Sequence, residues 1–274
     1  ARAARRAGAD ALFVPALNYK RGQAEMCGRL MRDADSAGYP KNVTLMVPSI
    51  DHDAVGDARE AKIDFDAWQY AEQGEPLFVE SIGSLFACAE FGALPQVGPK
   101  LPLANGAALA VANAFGAERV WLSPELTLAQ IRQLAKESPL PLGVFVQGYL
   151  ELMVCEHCLL TSQGPCNEEC ATCPRRKAAF ALNDRLDYDF RVVSDVFGRS
   201  HLYNSVQLDI VPAIKDLIDA HVSAFMIDAT FMDPEQTAQA TGRLLSAIKA
   251  IDRGEEACPK LPHTTSGHLY RGVS

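Results

Sequence analysis

The chain has 274 residues, 48% hydrophobic and 22% charged, which is enough apolar side chain for a sizeable core in one large domain or two smaller ones and excludes a disordered tail. Its net charge of −8 argues against a broad, sequence-independent hold on nucleic acid, which needs clustered Lys and Arg. No apolar run reaches the roughly 20 residues that span a bilayer and no secretory signal pattern opens the chain, so a soluble, cytoplasmic protein with no membrane partner is expected.

The opening "ARAARRAGAD" reads as the last turns of a helix, which suggests a piece of a longer protein. One grammar then recurs: a helix ends at or near a Gly and a short apolar run follows, as in "RRAGADALFVPA", "ACAEFGALPQVG" and "ANAFGAERVWLS", and without the Gly in "LIDAHVSAFMIDA". Gly8, Gly92 and Gly116 sit where a left-handed C-cap would stop a helix. The candidate strands are 11 to 16, 43 to 49, 77 to 81, 97 to 103, 119 to 122, 142 to 147, 190 to 194 and 223 to 228. Ser123, with Pro124 and Glu125, reads as the N-cap of a helix carrying Leu128, Ile131, Leu134 and Ala135 on one face, and Asp233 with Pro234, Glu235 and Gln236 repeats the device. Alternating helix and strand implies parallel strands covered by helices, and eight runs favour a TIM-like α/β barrel over residues 1 to 250, complete or lacking part of its N-terminal end. Residues 50 to 76 read as a polar insertion, 151 to 189 as a cysteine-rich loop and 251 to 274 as a loose tail. Two basic runs, Arg2 with Arg5 and Arg6, and Arg175 with Arg176 and Lys177, read as solvated faces. No G-x-G-x-x-G follows the first strand, which speaks against a dinucleotide fold.

The stretch "VCEHCLLTSQGPCNEECATCP" gathers five of the eight cysteines within nineteen residues. Cys155 and Cys158 form one C-x2-C, Cys170 and Cys173 another, and Cys166 lies between them. Tight turns of this kind let four thiolates converge on an ion or an iron–sulfur cluster. Disulfides would require an oxidising compartment and a small, core-poor domain, neither of which is indicated. Spacing alone leaves zinc and a cluster equally open: paired turns suit zinc, and the irregular series with a fifth cysteine suits a cluster.

Around that stretch the chain resembles the longer members of the U32 family of collagenase-like peptidases. "LMVCEHCLL" is similar to the family's "LMVTEHC" signature, and "LPLANGAA", "WLSPELTLAQI", "PLGVFVQGYLELMV", "NDRLDYDFRVVSD" and "SHLYNSVQLDI" resemble its successive blocks in order, over roughly residues 77 to 250. The resemblance implies a TIM-like barrel with its active site at the C-terminal strand ends. It also implies a choice of chemistry, because several relatives of these named peptidases hold a [4Fe-4S] cluster and serve oxygen-independent hydroxylation of RNA bases or of a ubiquinone precursor. Carried over, the ligands are Cys158, Cys166, Cys170 and Cys173; Cys155, where relatives often have threonine, is expected to be a small buried or spare thiol. Two departures stand out. Shorter members read E-x-F-x-H-G before the cysteines, where this chain has Gly143, Gln147 and Gly148, and no late cysteine accompanies "FGRSHLYNS". All ligands must therefore come from the 155 to 173 window, or from Cys27, Cys88 or Cys258 through folding.

The expected function is that of a [4Fe-4S] protein supporting modification of an RNA base or small aromatic substrate, with a partner protein in prospect. The alternatives are a peptidase acting on peptides, as the family name states, and a non-catalytic module with structural zinc. No H-E-x-x-H or G-x-S-x-G supports hydrolysis. Glu151, Glu156 and His157 are the catalytic candidates. Asn105, Glu125, Asn204 and Ser205 fall at or after strand ends and are weaker candidates for substrate contact. His201, His221, His263 and His268 lack ligand spacing and are expected to be structural or exposed.

Overall fold

The computed structural model describes residues 2–15, 43–50, 68, 71–195, 197–255 and 258–272. Most of the expected 50 to 76 insertion, and Cys27, lie outside them. Six parallel strands lie side by side in chain order: β1 (Leu12–Pro15), β2 (Val43–Met46), β3 (Pro76–Val79), β4 (Leu94–Val97), β5 (Arg119–Trp121) and β6 (Leu142–Gly148). A second sheet branches from the end of β6. It runs antiparallel in the order β7 (Glu151–Cys155), β10 (Ser200–Tyr203), β9 (Asp189–Ser194), β8 (Phe180–Asn183). The chain then returns to β6, where β11 (Gln207–Asp209) pairs antiparallel with its end and β12 (Ala224–Ile227) pairs parallel along it.

The parallel strands are mostly apolar on both faces, as buried parallel strands tend to be, with Thr44, Gln96 and Arg119 as polar members of the inner face. Leu45, Leu77, Val79, Val97, Val120, Leu122, Val144 and Val146 point outward into the main core, where helices cover them: α1 (Arg2–Ala7), α2 (Ile82–Phe91), α3 (Gly106–Ala114), α4 (Leu128–Glu137), α5 (Ile214–Asp219) and α6 (Pro234–Asp252). Phe78, Trp121 and Met226 point inward with Phe13 and Phe145 packed on them. The Phe13 ring on β1 lies 5.3 Å from that of Trp121 on β5. Four strand spacings would separate these strands by about 19 Å in a flat sheet, so the sheet curls strongly. The result is an α/β half-barrel. Among the described residues no pairing joins β12 to β1, so of the expected barrel, complete or incomplete, the structure shows a curled, partial one.

The structure corrects several local expectations. The run at 97 to 103 is a strand at Leu94–Val97, because Gly98 and Pro99 turn the chain away immediately after it. The run at 190 to 194 belongs to the second sheet rather than to the barrel. Thr127, not Ser123, caps α4: its hydroxyl accepts from the Gln130 amide while the Gln130 side chain accepts from the Thr127 amide. Asp233 does cap α6 as expected, with Pro234 in the first turn, and Gly92 closes α2 with φ 82°. The supposed loose tail docks. β13 (Thr264–Thr265) pairs with β11, Leu269 is 3% exposed, and its carbonyl accepts from the Leu128 amide at 2.8 Å.

Candidate functional site

The C-terminal ends of the parallel strands and the adjoining second sheet bring together side chains of alternating charge. Glu80 follows β3, Lys100 lies in the turn after β4, Glu151 opens β7, His201 comes from β10, and Asp195 follows β9. Lys100 Nζ is 3.3 Å from a Glu80 carboxylate oxygen, donates to Ser49 Oγ at 3.2 Å and pairs with Glu151 Oε2. Glu151 Oε1 meets His201 Nδ1, and His201 Nε2 lies 3.3 Å from Asp195 Oδ2. Asp195 is fully buried, and its other oxygen accepts from the amides of Phe197 and Arg199 at 2.9 and 3.0 Å. A cation therefore stands between each pair of carboxylates, the arrangement that makes buried charge tolerable.

These neighbours set the protonation states. Burial alone would discharge His201, but Asp195 and Glu151 outweigh it and raise its pKa, favouring the imidazolium. Lys100 is likewise raised: burial opposes its charge, and Glu80 and Glu151 prevail. Burial would raise Glu151, but His201 and Lys100 hold it below the usual carboxylate range. Burial wins at Glu80 and at Asp228, both raised; Asp228 follows β12 and accepts from the Thr230 amide at 2.9 Å. The mouth thus sets two held cations, Lys100 and His201, among carboxyl groups of which Glu151 is held as the anion and Glu80 and Asp228 are pushed toward their neutral form.

From Glu151, β7 leads into the cysteine loop, which folds on three short 3-10 turns: Leu159–Gln163, Cys170–Thr172 and Pro174–Lys177. Cys158, Cys166, Cys170 and Cys173 all line one small cavity. Burial pushes the Cys170 thiol up, and Cys158, Cys166 and Cys173 push it the same way. Gly198 closes the cavity from the β9–β10 turn. Its φ is 82°, and a Cβ there would stand 2.5 Å from Cys170 Sγ, so only glycine leaves room for the sulfur. Arg175 ties the loop together through the Gly164 and Pro165 carbonyls at 3.0 and 2.8 Å. Cys155 stays in β7, outside this cavity; Cys88 is a core thiol that burial pushes up to about 12, and Cys258 packs against the main core. Among the described residues no group of three or more His, Cys, Asp and Glu side chains is placed to hold a single metal ion.

Of the expected catalytic residues, only Glu151 lies in the mouth network. Glu156 instead accepts from Arg199 Nε at 2.7 Å, and His157 is exposed. Asn105 caps α3 by accepting from the Ala108 amide, and Asn204 accepts from the Val206 amide within a turn. Glu125 and Ser205 line the large concave cavity of the half-barrel. His201, expected to be structural or exposed, is 6% exposed and sits in the middle of the network. Arg176, expected on a solvated face, is 8% exposed. The missed residues Glu80, Lys100, Asp195 and Asp228 come from four separate elements with no common spacing. A charged residue directly after an apolar strand, as in "LFVE" and "FMID", was the available signal for Glu80 and Asp228. The missing family carboxylate also has a physical reason: a side chain at Gly143 would meet the Trp121 ring at 2.5 Å, so the indole occupies that space.

The fold and site define an α/β half-barrel protein with a candidate active site at the carboxyl ends of its strands and a cysteine cavity at their rim. The chain belongs to peptidase family U32, whose family model matches residues 97–271. No curated protein matches it. A solved structure described as that of the U32 peptidase Mk0906 is similar at 13% identity with a TM-score of 0.40, covering 52% of this chain and 62% of that one. The chain therefore spans about three fifths of the length of that relative.

Proposed function

We propose that this chain is an iron–sulfur member of the family that supports oxygen-independent hydroxylation, or a related modification, of an RNA base or small aromatic molecule held in the barrel mouth. The observation that carries this reading is the convergence of Cys158, Cys166, Cys170 and Cys173 on one cavity beside the mouth. These four thiols suit a [4Fe-4S] cluster in kind and number: the donor set is all sulfur, the four line one cavity, and Arg175 and Arg176 line it with positive charge. A bound cluster would supply electrons or bind the hydroxyl donor. Lys100, held protonated, and Asp228, pushed toward the neutral acid, both line the concave cavity and would orient oxygen atoms of a substrate and deliver protons to them, while His201 holds Glu151 in place behind them. The seven described cysteines are all free thiols, which suits a reducing cytoplasm. The acidic chain favours a small substrate, or an RNA brought by a partner protein.

Peptidase chemistry is the second reading, favoured by a nucleophile and a base in contact beside the mouth, Ser49 and Lys100. A lysine must be neutral to activate a serine, and two carboxylates hold Lys100 charged. Both ring nitrogens of His201 are likewise engaged by carboxylates, which leaves neither for a nucleophile. A structural zinc remains the third reading.

The test is purification without oxygen. The protein should be brown, carry about four irons per chain and bleach with dithionite. Serine at Cys158, Cys166, Cys170 or Cys173 should remove most of the colour, and serine at Cys155 should leave it. Colourless protein with one zinc per chain would overturn the cluster assignment. A peptide product insensitive to loss of the four cysteines would establish the peptidase.

A further inference from the structure

Two cavities dominate the candidate site, and one residue lines both. Arg176 faces the four-cysteine cavity and also the concave cavity of the half-barrel, where Lys100 and Glu151 lie. It is 8% exposed, and its guanidinium is fixed in place: Nε donates to the Ser194 carbonyl at 2.9 Å and Nη1 to the Cys170 carbonyl at 3.0 Å. Its charge is within electrostatic range of Cys158, Cys170, Cys173 and Asp195. Asp195 in turn contacts His201, so Arg176 stands at the end of the mouth network where it meets the thiols. Its neighbour Arg175 differs. That side chain is only partly buried and bonds to loop carbonyls, so water screens more of its charge.

We propose that Arg176 is the tuning residue of the redox centre inferred above: its buried positive charge sets how readily the four-thiolate site accepts an electron, and its position in the shared wall couples that property to whatever occupies the barrel mouth. This rests on the iron–sulfur reading. One electron from a one-electron reductant such as dithionite enters the site, no bond forms or breaks and no proton moves, so the change is one added negative charge. A guanidinium fixed in a poorly solvated wall lowers the energy of that charge, whereas a mobile or exposed cation would be screened. An anionic group of a ligand that reaches Arg176 from the mouth would draw on the same charge.

The test is a reductive titration of anaerobically purified protein, followed by visible absorbance and electron paramagnetic resonance, on iron-loaded wild type and variants. Arg176→Gln should shift the midpoint potential negative, so that at the wild-type midpoint the ratio of reduced to oxidised centre falls about tenfold. Arg176→Lys, which keeps the charge, should recover part of the shift, and Arg185→Gln, at an exposed position, should leave the potential where it was. If Arg176→Gln fails to retain iron, Arg176→Lys and wild type at a series of ionic strengths decide: a potential insensitive to salt supports a buried charge, and one that moves steeply with salt overturns it. Iron-loaded Arg176→Gln with an unchanged potential overturns this inference alone. Wild type that holds no iron overturns the functional reading and this inference with it.

Discussion

His201 owes its charge to its neighbours, and that dependence gives it a measurable pH signature. Its folded pKa is raised above the ordinary value of 6.5 by Asp195 and Glu151 despite burial. The stability it contributes is therefore fully present below about pH 6.5 and is lost as pH rises through the folded value. In urea denaturation at stepped pH, the advantage of wild type over His201→Gln should be largest near pH 6 and shrink as pH rises. A constant gap would show that the ring is not held as an imidazolium. Gly198 makes a second prediction. Alanine there must adopt φ 82° and overlap Cys170 Sγ, so on the proposed iron–sulfur reading Gly198→Ala should fail to retain iron while folding stability falls by only about 1 kcal/mol. The two residues differ in what the sequence announced. The cysteines advertised themselves by spacing, but His201, Lys100 and Asp195 meet only in three dimensions, and a lone histidine in a sequence says nothing of two carboxylates waiting on other strands.

At the scale of elements, the chain's grammar of helix, glycine and apolar run was legible because buried parallel strands are mostly apolar on both faces. The second sheet was legible only in its strand at 190 to 194, which reads in sequence as a barrel strand. Its strands β7 and β8 are largely exposed, with "ELMVC" and "FALN" presenting Leu152, Met153 and Leu182 to solvent, so neither continuous apolarity nor clean alternation marked them. The cap of α4 shows how competing signals resolve. Ser123-Pro124-Glu125 has the residue types of an N-cap, yet Thr127-x-x-Gln130 forms the reciprocal box that starts the helix. Thermal melts should separate the two: Thr127→Ala should cost about 1 kcal/mol, and Ser123→Ala distinctly less, since Ser123 Oγ accepts only one longer bond, from the Glu125 amide at 3.3 Å.

At the scale of the molecule, the half-barrel depends on its C-terminal segment. Leu269 is buried among main-core residues and β13 extends the sheet beside β11, so residues 258 to 272 cover the core rather than trail from it. Leu269→Ala should lower stability by about 2 to 5 kcal/mol and open this segment to protease, whereas Tyr270→Ala, at a side chain 62% exposed, should do neither. The sequence hid this because a segment held by one buried leucine and a two-residue strand has no periodicity to detect. The curl of the sheet also has an optical consequence. The chain has two tryptophans, and they sit on opposite sides of the sheet: Trp68 packs on the outer core, while Trp121 is 3% exposed on the inner face, its Nε1 donating to Gln96 at 3.2 Å. Trp121 is thus a native fluorophore inside the lumen. With Trp68→Phe as background, its emission would report directly on what enters the barrel, without any label attached to the protein.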